Sequence, residues 1–568
     1  MKKEMVYHKM LTTQTPLPEI PWNIYPRPML KRDSFLCLNG EWSFRVVEKD
    51  GQTLYDGKIT VPFAPESVLS SIDKVFTESS TRIYETNFAL SPNFQKDRVI
   101  LHFGAVDQYA KVYINDIEVC SHTGGYTPFC VDITERLKVE NILRVEVQDH
   151  LSSLILPYGK QTAKRGGMWY TPVSGIWQTV WLESVHRDYV KELTYEVDGN
   201  RVKILSKGVD KADICVQMID GKLNATMENG VAEITIPSPR LWSPEDPYLY
   251  HYTLKYKDDE VSSYFAIRTL TIQPVKGIKR LCLNGKPVFL HALLDQGYWS
   301  DGLFTPHSPE MITEELEKVK KLGFNTLRKH IKIEPQFFYS ECDRLGIIVM
   351  QDMINNGKYS FLRDTALPTI GLIRKNDKRL HKNEKTRQAF ISTMTETVKI
   401  LKNHPSICYW TIFNEGWGQF DSDNAYNLLK SLDSTRFIDS TSGWFINKLS
   451  DVDSRHVYFR KVKLSPKDKP LVLSEFGGYA YAVKDHVFNT QKVYGYGKCT
   501  SREEYVERVR NLYLDEIIPL IEKGLCGAVY TQVSDIEDEI NGIFTYDRAI
   551  DKLLPEEFID ISEKVKKT

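Results

Sequence analysis

Charge of one sign is never in excess along this 568-residue sequence: 74 Lys and Arg stand against 75 Asp and Glu. Such a balance supplies no field to draw in nucleic acid or an anionic membrane, so an uncharged small molecule is the expected partner. No apolar run approaches membrane-spanning length, and the opening stretch MKKEMVYHKMLTTQ carries lysines but no apolar h-region. The expected location is the cytoplasm, although a secreted chain trimmed of its signal peptide would read the same way. Nine cysteines are scattered without a Cys-x-x-Cys pair, which suggests neither a disulfide framework nor a zinc knuckle. Missing too are a Gly-x-Ser-x-Gly elbow, an HExxH helix, a Walker loop and a dinucleotide fingerprint, so the corresponding hydrolase, metalloprotease and nucleotide chemistries lack support.

What is present begins with strands. From about residue 35 to 185, alternating segments such as RVILHF, KVYINDIEVC, ILRVEVQD and QTVWLESV are separated by Gly, Pro and Asn turns, a pattern that predicts an antiparallel sandwich. A second strand-rich stretch, with YVKELTYEV, ADICVQMI, AEITI and YLYHYTLKY, has the length of one immunoglobulin-like sandwich. Near residue 275 helical patterns begin to alternate with short apolar strands, as βα units require. Ser308 and Pro309 supply a cap and first-turn residue, Ile312, Leu316, Val319 and Leu322 form one face, and Gly323 stops the helix. Counting VFLHALL, FNTLR, IIVMQ, ICYWTIF, FIDST, HVYF, LVLSEF and GAVYTQ as strands predicts a closed (β/α)₈ barrel. The expected architecture is therefore two all-β sandwich domains, residues 1–187 and 188–275, followed by a C-terminal (β/α)₈ TIM barrel over 276–568. The stretch 356–382 is long and basic for a βα loop, as functional lids often are.

Barrel enzymes place their chemistry at the C-terminal ends of strands. The polar residues following apolar strand cores are Asp295, Arg328, His330, Asp352, Asn414, Glu415, Trp444, His456, Tyr458, Glu475 and Gln532. Two of them, Glu415 and Glu475, are glutamates at the ends of strands four and seven. A carboxyl pair facing across a barrel mouth is what glycosidic bond cleavage demands, one protonated and one ionised.

The segment KNHPSICYWTIFNEGWG resembles the acid/base signature of glycoside hydrolase family 2, whose members include β-galactosidases, β-glucuronidases and β-mannosidases. Asn403, His404, Pro405, Ser406, Trp410, Asn414 and Glu415 carry the match, while Cys408, Tyr409 and Thr411 depart from it. A second signature runs from Asn325 through Arg328 to Asp343 and Gly346, but KHIKI stands after the arginine where the family has Ser-x-His-Tyr-Pro, which shifts His330. LVLSEFGGY resembles the nucleophile strand, and LNGEWSF, VPFAPES, FGAVDQYAKVYIND, GGYTPF and MWYTPVSGIWQTVWLE resemble the family's sugar-binding jelly roll. The resemblance covers nearly the whole chain. It implies a retaining exo-glycosidase with Glu475 as nucleophile and Glu415 as general acid/base. It also implies that Asn414 holds the sugar 2-hydroxyl, that Tyr458 donates to Glu475 and that Arg328 charges the nucleophile's surroundings.

Other residues keep two readings. Trp444, Trp299 and Gln532 are sugar contacts or rim packing, and Asp295 is a sugar-hydroxyl ligand or a loop cap. His456 reads as a structural histidine. The acidic run DIEDE at 535–539 fits no calcium loop and reads as a solvated face. No cofactor is required, and the Mg²⁺ or Na⁺ bound by some family members has no signature here. Glucuronide-cleaving members carry Asn-x-Lys before a Gly-Ile-Phe-Thr-like segment, whereas Glu539, Ile540 and Asn541 precede Gly542 here. A glutamate there disfavours a uronic acid, against which the basic residues Arg363, Arg374, Lys375 and Arg379 weigh little. The expectation is a β-galactosidase acting on a small oligosaccharide or glycoside, with β-mannoside, β-glucoside, α-L-arabinoside or β-glucuronide as alternatives. A catalytically inactive carbohydrate-binding homologue stands in another class, and the sandwiches could also build a homo-oligomer. The loop from Tyr158 to Trp169 is expected to wall the pocket.

Overall fold

Alternation decides the first layer: in Gly40–Val47 every second side chain is buried, so one face of the strand must be covered. This strand belongs to a six-stranded antiparallel sheet that faces a four-stranded one containing Arg98–Phe103 and Val180–Val185. Trp42, Phe44, Tyr84, Leu101, Val145 and Leu182 fill the space between the sheets. The structure is a computed structural model and describes residues 13, 15–369, 372, 376–443, 448–458 and 460–567.

Sheets of three and four antiparallel strands form the second sandwich, from Glu192–Asp198 to Asp259–Phe265, around Val202, Ile204, Ile214, Tyr252 and Phe265. Next comes a hairpin of Leu270–Val275 and Ile278–Leu283, which crosses the expected boundary at 275. Leu281 and Leu283 pack with Leu290, Met350, Tyr409 and Val472 in one cluster, so the hairpin plugs the bottom of the barrel.

The barrel strands are β1 (Leu290–Asp295), β2 (Thr326–Lys329), β3 (Ile348–Asp352), β4 (Ile407–Asn414), β5 (Phe437–Ser442), β6 (Asp453–Val457), β7 (Leu471–Phe476) and β8 (Leu525–Tyr530). All are parallel neighbours in the order β5-β4-β3-β2-β1-β8-β7-β6. Among the described residues no backbone ladder joins β5 to β6. Side chains stitch that seam instead: the Ser442 hydroxyl lies 2.9 Å from His456 Nε2 and 3.0 Å from the Ser474 hydroxyl, which in turn lies 2.6 Å from that of Ser454. The sixth strand starts earlier in the chain than HVYF, because Asp453 takes the edge register beside Leu471. Tyr458 consequently stands just beyond the strand end, where a side chain can turn into the mouth.

Helix Pro309–Lys321 has the expected boundaries, with Ser308 as its N-cap residue and Ile312, Leu316 and Val319 buried. The helix Glu384–Leu401 is capped by Asn383, whose side chain accepts from the amides of Lys385 and Thr386. Asp343 ties the second sandwich to the barrel by accepting from the Tyr264 hydroxyl at 2.7 Å and the Ser406 amide at 2.8 Å, with His404 Nδ1 at 2.7 Å.

Candidate active site

The next-to-last residue of strand β2 is a buried arginine that organises one side of the mouth. Arg328 Nη1 donates to Glu475 Oε1 at 3.0 Å and to the Ser474 carbonyl at 2.9 Å, while Nη2 donates to Asn414 Oδ1 at 2.8 Å and lies 3.0 Å from Asp352 Oδ2. A guanidinium with no exposed side-chain surface cannot shed its charge, and the adjacent Asp352 and Glu475 carboxylates push its pKa upward against the cost of burial. The other oxygen of Glu475 accepts a hydrogen bond from the Tyr458 hydroxyl. Burial, then the negative charge of Glu475, holds that phenol far above its ordinary pKa, so it remains a donor. Tyr458 stacks on Tyr496 with ring centres 3.9 Å apart.

Glu415 follows β4 in a left-handed conformation, φ +50°, which costs a non-glycine residue about 1–2 kcal/mol. Two backbone bonds hold it there, from the Glu415 amide to the Ser442 carbonyl at 2.9 Å and from the Trp417 amide to the Asn414 carbonyl at 2.8 Å. Its Oε1 lies 2.8 Å from His456 Nδ1, and the same nitrogen is 3.5 Å from Glu475 Oε2. His456 thus spans both carboxylates rather than sitting in a remote packing site. Glu415, His456 and Glu475 each offer an atom within 4.8 Å of the others'; that spacing could also suit a cation, but the three groups are already engaged with one another, Arg328 and Tyr458. Asn414 Nδ2 is buried and has no acceptor among the described residues, which leaves it free to donate to a ligand.

The first sandwich builds the opposite wall. Its loop from Tyr158 is seated on the barrel through the Tyr158 amide to the Asn355 carbonyl at 3.0 Å and the Tyr158 hydroxyl to the Gly357 carbonyl at 2.7 Å. Gly159, at φ +68°, comes so near that a Cβ would sit 2.9 Å from the Ile331 carbonyl oxygen, so only glycine allows this approach. Lys160 then projects its ammonium 4.3 Å from the centre of the Trp417 ring and 5.8 Å from that of Trp169. Burial lowers its pKa, opposed by the charges of Glu539, Glu475 and Glu415.

The acidic run 535–539 is not a solvated face. Asp535 pairs with Lys552 at 2.6 Å, Glu537 accepts from the Thr171 amide at 2.9 Å, Asp538 meets Arg165 at 3.2 Å, and Glu539 accepts from the Tyr170 hydroxyl and from Asn541. Every carboxylate of the run is buried, because the loop after β8 folds beneath the sandwich segment 165–171 and finds its partners there.

Glu415, Glu475, Asn414, Arg328 and Tyr458 converge on one pocket. His330 belongs to its floor: Nδ1 donates to Asp352 Oδ2 at 2.7 Å, and burial pushes the imidazole pKa down to about 4, which leaves Nε2 as an acceptor. Gln532 is engaged at both ends, with Gln296 and Asn541 each at 2.9 Å, and so acts on the pocket through Asn541 and Glu539. Asp295 is turned away, forming an ion pair with Lys329 and accepting from the Gly297 amide at 2.8 Å. Trp299 is buried under Arg548. Arg363 spends its charge on Asp364, and Arg379 is exposed. Trp444, Arg374 and Lys375 lie outside the described residues. Sequence reasoning missed Lys160, Tyr170 and Tyr496, which do not follow an apolar strand core, and Trp417, which stands just beyond Glu415.

Three family models match the chain: a glycosyl hydrolase 2 galactose-binding domain-like model over residues 52–178, a glycosyl hydrolases family 2 model over 188–268, and the glycosyl hydrolases family 2 TIM barrel domain over 275–552. A β-galactosidase of Thermoanaerobacter pseudethanolicus is 24% identical over 71% of this chain and 54% of its own length. Human β-glucuronidase is 25% identical over 73% of this chain and 69% of its own. The chain thus spans between half and about two thirds of the length of these relatives. A solved β-glucuronidase from an uncultured Clostridium species superposes with a TM-score of 0.71 at 18% identity, covering 96% of this chain and 100% of that one, which shows a common fold. With all three models matched in order along its length, the chain belongs to glycoside hydrolase family 2.

Proposed function

We propose that this protein is a retaining exo-glycosidase that removes one neutral terminal sugar, with β-galactosides as its first substrates. The observation that carries the reading is the approach of the Glu415 and Glu475 carboxylates to within 4.8 Å. Retaining enzymes hold their two carboxyl groups about 5–5.5 Å apart, whereas inverting ones need roughly 6.5–9.5 Å to admit a water. In the first step an oxygen of Glu475 bonds to the anomeric carbon, the bond to the leaving oxygen breaks, and Glu415 gives that oxygen its proton. In the second, Glu415 takes a proton from water, the water oxygen bonds to the anomeric carbon, and Glu475 departs with configuration retained. Arg328 and Tyr458 each hold one oxygen of the nucleophile and keep it aimed. The uncommitted Nδ2 of Asn414 supports a bond to the 2-hydroxyl that strengthens in the transition state.

Relatives named β-galactosidase and β-glucuronidase leave the sugar to be argued from this chain. Glu539, Ile540 and Asn541 stand where an Asn-x-Lys grip on a sugar carboxylate would be needed, and the absence of that lysine favours a neutral substrate. A panel of nitrophenyl β-galactoside, β-glucoside, β-mannoside, α-L-arabinoside, β-glucuronide and β-galacturonide tests this directly. The galactoside should be cleaved fastest, a 2-fluoro analogue should leave its adduct on Glu475, and Glu415→Gln should lower kcat/KM by about 10²–10⁴. Preference for a uronide, or full activity in Glu475→Gln, would defeat the reading.

A further inference from the structure

We propose that Lys160, supplied by the first sandwich, is a specificity-determining residue of the barrel's pocket, donating hydrogen bonds to a hydroxyl of the terminal sugar on the side where Glu539 stands. The inference rests on the catalytic reading of Glu415 and Glu475 and adds to it a residue from another domain.

Four observations support it. Lys160 is only 6% exposed, yet among the described residues its ammonium has no hydrogen-bond acceptor or ion pair within reach. A buried lysine without an acceptor is costly unless a ligand or water completes its shell. Its surroundings are those of the active centre: the Trp417 and Trp169 faces hold the cation, and Glu539, Glu475 and Glu415 are the carboxylates that act on it most. Its position is fixed rather than sampled, because the Lys160 carbonyl accepts from the Tyr170 amide at 3.0 Å. The neighbouring Gln161 is also locked, donating to Asp107 and to Tyr126, each at 3.0 Å, and accepting from the Val173 amide at 2.6 Å. Finally, Tyr170, bridged to Gln161 across the same loop, fastens Glu539. One short segment therefore carries the donor and positions the acceptor. The opposed charges cancel, so the pair suits the hydroxyls of a neutral sugar better than an anionic group.

The test compares wild type with Lys160→Met, which keeps the stem against Trp417, and with Lys160→Gln, which keeps a neutral donor. Steady-state constants are measured on the nitrophenyl glycoside that the wild type cleaves fastest and on its 3-, 4- and 6-deoxy analogues. Losing a hydrogen bond from a charged donor should lower kcat/KM of Lys160→Met roughly 10- to 100-fold, mainly through KM, with partial recovery in Lys160→Gln. One deoxy analogue should be handled by wild type and Lys160→Met alike, because its hydroxyl is already gone. A loss that is uniform over all analogues would mean that Lys160 only props the aromatic wall, and no loss would mean that it touches nothing; either overturns the proposal. A loss confined to a glucuronide or galacturonide would assign the lysine to a carboxylate and overturn the hydroxyl contact. If wild type cleaves no glycoside, the hydrolase reading fails by itself. Calorimetric titration of galactose, glucose and mannose then decides on Lys160, since equal binding or no binding by wild type and Lys160→Met rejects it and tighter binding by wild type sustains it.

Discussion

His456 Nδ1 lies 2.8 Å from Oε1 of Glu415, so the proposed acid/base shares a hydrogen with an imidazole rather than with solvent. Nε2 of the same ring stands 2.9 Å from the Ser442 hydroxyl and 3.5 Å from Arg328 Nη1. His456→Ala should lower kcat roughly 10- to 100-fold by letting Glu415 drift, with a larger loss on a poor leaving group than on dinitrophenol. His456→Asn should restore part of it. An unchanged kcat in the alanine variant would reduce the histidine to packing.

Arg328 pairs with both Asp352 and Glu475, and none of the three side chains is more than slightly exposed. Arg328→Met strands both carboxylates, and breaking a buried pair from one side costs about 3–5 kcal/mol. Calorimetry should show the barrel transition falling in temperature while the sandwich transitions move little. Arg328→Lys keeps the charge but not the fork that reaches Asn414 and Glu475 together, so it should regain stability without regaining activity.

Glu537 predicts a pH dependence of the domain contact. Burial pushes its pKa from the ordinary carboxylate value up to about 7, and it accepts from the Thr171 amide across the sandwich–barrel boundary. A carboxyl whose folded pKa is raised contributes stability fully below its unfolded pKa, and that contribution is lost as pH rises through the folded value. Melting temperature should therefore decline between about pH 4.5 and pH 7, and Glu537→Gln should flatten that decline. Parallel curves for the two proteins would rule the group out.

The barrel was legible because βα alternation repeats, and Glu415 because its motif is long. Much of that motif is not chemical, however. Asn403 donates to the Leu193 carbonyl at 2.7 Å and His404 meets Asp343, so both clip the second sandwich onto the barrel. At Gly346, φ +73°, a Cβ would sit 2.6 Å from the Pro244 carbonyl oxygen, so the glycine serves the same junction. Such residues signal how the domains fit, and they lent the catalytic assignment its specificity. Lys160 left no trace of this kind. It lies in an irregular loop of a different domain, and nothing in KQTAKR says that the first lysine is buried over Trp417 while Arg165 pairs with Asp538. The DIEDE run misled for the same reason: local composition reports charge, whereas its partners are Thr171, Tyr170, Arg165 and Lys552, most of them far away in sequence.

The seam between β5 and β6 bears on stereochemistry. Glu415 hangs from β5 through the Ser442 carbonyl, and Glu475 rides on β7 beside β6. The joint between them has no backbone ladder among the described residues and is held by Ser442, Ser454, Ser474 and His456. Were that joint to widen by a water's diameter, the carboxylates would reach the spacing at which a solvent molecule attacks first and the anomer is inverted. On the retaining mechanism proposed above, the three serine hydroxyls at that joint would help to set which anomer is released.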